Sequence, residues 1–315
     1  MLTRIISLSL LLISLISCSN YRATDPYDNI TNDDFYAVGP DATDFDIEYS
    51  MREYYKQFNK YKIIVKGDIN KSKTLEYIKE IINKKYYKNQ KIEIDLSRTS
   101  LTNIPKEAFT NSESLSAIVF PNTLEEISIS AFQGCKALTS VTLPPSLLIL
   151  RHHSFSGCSE LQTVNFNDKL TTIANKAFYN CKKLNNVVLP PNITLLDKST
   201  FENCISLTSI KLNDKLETIK GNVFKNCSSL VNISLPSSLK SIDNTSFASC
   251  SKLKNAEYLG TSLTAITGTP FTSLSLTDLY LPNVASDAAQ NGNWNTFLGG
   301  NWAADKIHYG KNMPK

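Results

Sequence analysis

From residue 92 onward, apolar side chains return on a fixed beat. Leu115, Leu138, Leu161, Leu184, Leu207, Leu230 and Leu253 stand 23 residues apart, and so do Phe109, Phe132, Phe155, Phe178, Phe201, Phe224 and Phe247. Counting from each leading leucine, further apolar residues fall at offsets 3, 5, 9 and 12: Val141, Leu143, Leu147 and Leu150 in one unit, Ile210, Leu212, Leu216 and Ile219 in another. The alternation in "SVTL" and "SIKL" predicts one short strand per repeat, with offsets 3 and 5 turned one way and offsets 2 and 4 the other. Pro121, Pro144, Pro190 and Pro236, or Asn167 and Asn213, close that strand. The second apolar pair predicts another short extended segment. A turn or two of helix around the phenylalanine follows, closed by Gly134, Gly157, Asn180, Asn203 or Asn226, the residues best able to take positive φ.

Such a unit cannot stand alone. About seven inward side chains contribute roughly 1.5 to 3 kcal/mol each when fully buried, whereas ordering the backbone of one repeat costs roughly 1 to 2 kcal/mol per residue. Copies that stack bury one another's flanks and add strand hydrogen bonds between repeats, which predicts a solenoid.

The unit "LTSVTLPPSLLILRHHSFSGCSE" resembles the repeat of the BspA-like leucine-rich repeat proteins, which are found largely on bacterial cell surfaces. The resemblance covers residues 92 to about 281. It implies an α/β fold: a leucine-rich repeat right-handed solenoid of 23-residue repeats, with a parallel concave sheet, short strands and helical turns on the convex side, and small N- and C-terminal caps. The first copy departs from the pattern, with Ile94 and Leu96 displaced by one residue and Ser112 in place of the cysteine, as a terminal, half-exposed rung would tolerate. The copy after Leu253 carries an extra residue near Gly260 and has Pro270 before Phe271.

Cys135, Cys158, Cys181, Cys204, Cys227 and Cys250 also keep the 23-residue spacing. Equivalent backbones in stacked rungs lie roughly 4.8 Å apart or farther with parallel Cβ vectors, which fits a disulfide poorly. A ladder supplies a line of ligands where zinc needs convergence. Packing is the remaining role, with each thiol acting as a small hydrophobe beside Phe132, Phe155, Phe178, Phe201, Phe224 or Phe247. Cys158 near His152 and His153 suggests a nucleophile and base, but the same cysteine recurs in copies without histidine.

The chain's two ends read differently from the repeats. "MLTRIISLSLLLISLISC" has one cation, then an apolar run from Ile5 to Ile16, and its last four residues resemble the bacterial lipobox. Residues 1–17 are therefore expected to be a lipoprotein signal peptide, with Cys18 the lipidation site. Residues 18–60 are expected to be a flexible acidic tether, and the stretch "DNITNDDFYAVGPDATDFD" lacks the spacing of an EF-hand. Residues 61–91 read as a β-α cap: "YKIIVKG" forms a strand, then Leu75, Ile78, Ile81 and Ile82 share one helical face, and Lys79, Lys84, Lys85 and Lys88 could touch an anionic membrane or simply be solvated. The solenoid takes residues 92–281, where Leu276, Leu279 and Leu281 restart a strand. A C-terminal cap takes 282–315, with "KIHYG" as a last strand and Trp294, Phe297 and Trp302 forming a hydrophobic lid or, alternatively, an aromatic sugar-binding platform.

Composition narrows the function. With 42% hydrophobic and 20% charged residues the chain is globular, and a formal charge of +4 without a basic face speaks against nucleic acid. No hydrolase, zinc-protease or nucleotide-binding motif occurs, so no enzyme, cofactor or metal is expected. What differs between copies is the outward strand set, whose middle comprises Thr142, Thr163, Asn165, Asn186, Ser209 and Lys211. These are the candidate ligand-binding residues. They suit a protein or other macromolecule better than a small molecule, which would want a closed apolar pocket. Together with the resemblance, this implies a monomeric, membrane-anchored lipoprotein at the cell surface or outer membrane, an adhesin for host extracellular-matrix proteins or other cells. The alternatives are a structural envelope protein without a soluble ligand, and a hydrolase.

Overall fold

The computed structural model describes residues 32–262, 266–285 and 294–314. The chain divides into two compact units, residues 1–35 and 36–315. Of the first, the described residues open a 3-10 turn, Asn32–Tyr36; the signal-peptide reading and Cys18 lie outside the described residues.

The second unit begins with more structure than an acidic tether. Strand β1 (Ala37–Val38) pairs in parallel with β2 (Tyr61–Gly67), and helix α1 (Asp44–Phe58) lies between them in sequence. The expectation of a flexible segment up to residue 60 is therefore corrected for residues 44–58. The helix has a complete capping box: the Thr43 hydroxyl accepts from the Asp46 amide at 3.2 Å, and the Asp46 carboxylate accepts from the Thr43 amide at 2.9 Å. It ends at Asn59, which takes the left-handed conformation at φ 54°. Its buried stripe is narrow, consisting of Ile47, Met51 and Tyr54. The rest of it carries the charged residues Asp44, Asp46, Glu48, Arg52, Glu53 and Lys56. Helix α2 (Thr74–Ile82) buries Leu75, Ile78, Ile81 and Ile82, and β3 (Ile92–Thr99) completes the cap.

The cap sheet runs β1-β2-β3 and then into the first coil strand, Leu115–Val119. The displaced Ile94 and Leu96 have a simple cause. Ile92 pairs with Leu115 but Glu93 pairs with Ala117, so Ser116 is the extra residue of a bulge. Both Ile94 and Leu96 stay buried.

From Leu115 to Ile242 each coil contributes a three- to five-residue strand and a two-residue strand. Asn186–Val188 pairs with Ser209–Lys211, and Leu195–Leu196 with Thr218–Ile219, always in parallel and 23 residues apart. Where asparagine replaces the proline that closes a strand, its amide bonds the proline carbonyl of the coil before: Asn167 to Pro144 and Asn213 to Pro190, each at 2.7 Å. The side chain thus adds a link between coils that proline cannot make.

The expected helical turns are single turns that alternate with bonds between coils. The amides of His153, Phe155 and Gly157 donate forward to Asn175, Ala177 and Tyr179, while those of Ser154, Ser156 and Cys158 donate back three residues. From Glu107 to Asn226 positive φ recurs twice per coil, at His153 and Gly157 and at their equivalents, including Lys176 with Asn180 and Asn222 with Asn226. Left-handed residues at this spacing prevent a continuous helix. Asparagine at the second position also links coils, with Asn203 donating to Asn180 at 2.8 Å and Asn226 donating to Asn203 at 2.9 Å.

The core is one continuous cluster from Ile47 to Ile307. The repeat phenylalanines are fully buried and stack ring over ring, with centroids from 5.1 Å (Phe132 and Phe155) to 6.0 Å (Phe201 and Phe224) apart. Ion pairs such as Lys136 with Glu113 and Lys240 with Glu217 bridge successive coils at the surface, where they guide register more than they stabilise.

The coil ends are closed on both sides. Ser112 is fully buried, which corrects the picture of a half-exposed rung: its hydroxyl accepts from Asn83, next to α2, at 3.2 Å, and Ser114 donates to the Ile82 carbonyl at 2.6 Å. At the far end Asp278–Leu281 pairs with Ile307–Tyr309. Trp294, Phe297 and Trp302 are buried at 1%, 4% and 2% exposure, with Phe297 against Tyr258 and Trp302 edge-on to Phe271. Rings so covered form a lid. They offer no platform to a sugar.

Candidate functional site

Strand alternation decides which side chains are available. On the four rungs from 140 to 211 the burial pattern is exposed, buried, exposed, with Val141, Val164, Val187 and Ile210 turned inward. The outward residues are Ser140 and Thr142, Thr163 and Asn165, Asn186 and Val188, then Ser209 and Lys211, all exposed. All six residues marked by the sequence pattern are among them.

The register brings them together in pairs. Thr142 lies opposite Asn165, whose amide donates to the threonine hydroxyl at 3.1 Å. Asn186 lies opposite Ser209, and Lys211 opposite Val188. Val188, at 64% exposure, gives this polar face an apolar point, and Val119 gives it a second at 49%. The sequence places both in the outward set, but only the exposure distinguishes them as contact points.

Beyond Lys211 the face closes. Ser234 is half-buried and donates to Glu257 at 2.6 Å. Glu257 is buried and also accepts from the Met313 amide at 2.8 Å, so the C-terminal tail reaches back over the last rungs. Tyr280 stacks on His308, whose Nε2 lies 2.7 Å from the Asp278 carboxylate. That contact holds the Asp278 carboxyl below its ordinary pKa, ahead of an opposing effect of burial. The open stretch of the face is thus its middle.

The cysteine ladder lies elsewhere and has a role beyond filling space. All six thiols are buried and free, and each donates to a phenylalanine carbonyl 26 residues earlier: Cys135 to Phe109 and Cys158 to Phe132 at 3.1 Å, Cys181 to Phe155 and Cys204 to Phe178 at 3.3 Å, Cys227 to Phe201 at 3.2 Å, Cys250 to Phe224 at 3.0 Å. Each of these carbonyls also accepts the backbone amide three residues on, so the thiol of the next coil is its second donor and links the two coils. Burial pushes the Cys158 thiol up to about 12, which removes the thiolate a nucleophile needs. His153 moves the other way, its pKa lowered first by burial and then by Lys176 and His152. Among the described residues no group of three or more His, Cys, Asp or Glu converges as a metal site, and no helix is long and apolar enough to cross a membrane.

Hollows in the surface lie off the strand face. One of about 350 Å³ lies between α2 and the first coil, over Leu75, Leu101 and Ala108, and another of about 330 Å³ is lined by Lys198, Lys220, Ser241 and Asp243. Neither contains a candidate residue.

Comparison with known proteins agrees with the repeat. The family model described as BspA type leucine rich repeat region, in six copies, matches residues 79–204 and 171–293, more than half the chain. Among solved structures, the leucine rich repeat protein of T. pallidum is 25% identical over 52% of this chain and 72% of that one, with a TM-score of 0.43. A leucine-rich repeat protein of Bacteroides ovatus is 20% identical over 69% and 76%, with a TM-score of 0.39. A leucine rich cell surface protein of Faecalibacterium prausnitzii is 18% identical over 67% and 84%, with a TM-score of 0.41. Curated proteins give no match. With its beat, stacked coils and matched family model, the chain belongs to the BspA-type leucine-rich repeat family, a repeat architecture for protein interaction.

Proposed function

We propose that this is a lipid-anchored protein of the bacterial cell surface that acts as a monomeric adhesin, holding a matrix protein or another cell's surface protein on its open strand face. One observation carries the reading. Four successive rungs offer eight exposed outward side chains, no two rungs alike, on a buried lattice that is nearly identical from coil to coil. A surface that varies over a constant support is suited to recognition. It is also flat and polar, which favours a broad macromolecular contact over an enclosed small molecule, and burial keeps the Cys158 thiol protonated, which speaks against thiolate chemistry there. The anchor rests on the apolar run and Cys18.

Replacing Thr142, Asn165 and Ser209 with arginine adds bulk and charge to the face without touching the core. Melting should stay near that of the parent. Affinity for a matrix protein captured from a purified panel, measured by surface plasmon resonance, should fall about tenfold or more, some 1.4 kcal/mol. Unchanged affinity in a folded variant would move the site off this face. Capture of nothing from the panel, or protection of the solenoid from protease on intact cells, would favour a structural envelope role.

A further inference from the structure

The N-terminal cap has chemistry that the strand face does not use. Within residues 36–315, the exposed aromatic side chains among the described residues are Phe45, Tyr49, Tyr55 and Tyr86, and all four lie on this cap. They form a band. Phe45 and Tyr49 stack along α1; Arg52, one turn on, places its guanidinium 5.9 Å from the Tyr86 ring centroid; Tyr86 meets Tyr87 edge-on at 4.9 Å; and Tyr55 stacks on Tyr61 at 4.3 Å.

Charge polarises this band. Lys84, Lys85, Lys88 and Lys91 flank Tyr86 in the sequence and are exposed, Tyr86 itself at 69%; Glu48 is bonded to Arg52, Lys84 and Tyr87, and Glu113, whose carboxyl also feels Lys88, is paired with Lys136. Asp41, Asp44 and Asp46 lie at the other end, beside Phe45, with Asp46 engaged in the capping box. Lys79, grouped with these lysines by sequence, instead bonds the Glu107 carbonyl at 2.8 Å and faces the first coil.

We propose that the Tyr86 loop docks on the headgroup layer of an anionic bilayer, giving the protein a second membrane contact beside its lipid; the inference rests on the lipid-anchor reading above. Tyrosine is suited to that layer because its ring is apolar and its hydroxyl polar. Lysines gather at anionic headgroups but are depleted in the cores of protein interfaces, so their clustering in the sequence about Tyr86 favours lipid over a protein partner. Position agrees: β1 is the edge of the cap sheet, so the chain enters its second unit on the cap that carries this band. A weak surface contact and a lipid reinforce one another.

The test uses the full lipidated chain with Tyr86→Trp, reconstituted into vesicles of zwitterionic lipid alone or with phosphatidylglycerol, each with brominated acyl chains. Buried Trp294 and Trp302 give a constant background. Indole quenching should be several-fold greater on the anionic vesicles, and adding Lys85→Glu and Lys88→Glu should lower the docked fraction about tenfold. Protein that floats with both vesicles but shows no quenching, equal quenching, or quenching unaffected by charge reversal would overturn the docking while leaving the anchor intact. Protein that fails to float with either would remove the lipid-anchor reading and the docking with it.

Discussion

Alkaline pH should unfold this solenoid through its thiols. Burial pushes Cys158 and Cys250 up to about 12 and raises Cys135, Cys181, Cys204 and Cys227 as well, from an ordinary value of 9.0. A raised folded-state pKa on an acid means that the folded chain keeps protons the unfolded chain releases. The stabilisation is complete below pH 9 and is lost as pH climbs from there toward 12. At about pH 9.5 each thiol accounts for a loss of somewhat under about 1 kcal/mol, so six together cost several kcal/mol, comparable with the lower end of a typical domain's whole stability. The window closes near pH 9.5 because tyrosine and lysine in the unfolded chain begin to titrate at about 10. Urea unfolding followed by circular dichroism, in a phosphine reductant at about pH 7.5 and 9.5, should show the midpoint falling sharply. Thiolate absorbance should appear only with unfolding. A midpoint that does not move, or thiolate present in the native baseline, would refute the reasoning. Cys181→Ala with Cys204→Ala should leave about two thirds of the pH slope.

Two further outcomes follow from the same lattice and a third from the anchor reading. A Cβ on Gly134 would come 2.3 Å from the Asn111 side-chain oxygen, while one on Gly157 meets only backbone at 3.7 Å. Gly134→Ala should therefore cost about 1 kcal/mol more than Gly157→Ala in urea unfolding, and Asn111→Ala should remove the difference. Asn203→Gly keeps the left-handed backbone but loses both amide bonds and should cost about 1 kcal/mol, with Asn203→Ala costing about 1 more for strain, by the same measurement. Cys18→Ala should abolish incorporation of radiolabelled fatty acid, and persisting label would refute the anchor.

The solenoid could be read from the sequence because every buried position in a coil is repeated in the next. Leu184 and Phe178 are diagnostic only in the company of Leu161 and Phe155. Strand alternation placed Thr142, Asn165 and Ser209 outward for the same reason. What had no copy could not be read this way. Helix α1 buries Ile47, Met51 and Tyr54 beneath a charged sequence, and only the pairing of Thr43 with Asp46 marks its start. Ser112 takes its meaning from Asn83, on another element, and the closing of the face at Glu257 depends on Met313, 56 residues away. The thiol bond to a carbonyl 26 residues back has no signature in the sequence, because a period of 23 shows which residues are equivalent but not how neighbouring coils are offset.

The direction of the bonds between coils has a mechanical consequence. Strand ladders, amide ladders and ring stacks all run coil to coil, so a pull along the stacking axis stretches them in the direction in which they open. Among the described residues of the repeats, strand pairs run between coils and none within one to resist in shear. Each coil that yields frees 23 residues, roughly 80 Å of contour length. Extended by its two ends, the chain should give way one coil at a time from whichever cap fails first, yielding at modest force over a length many times its own.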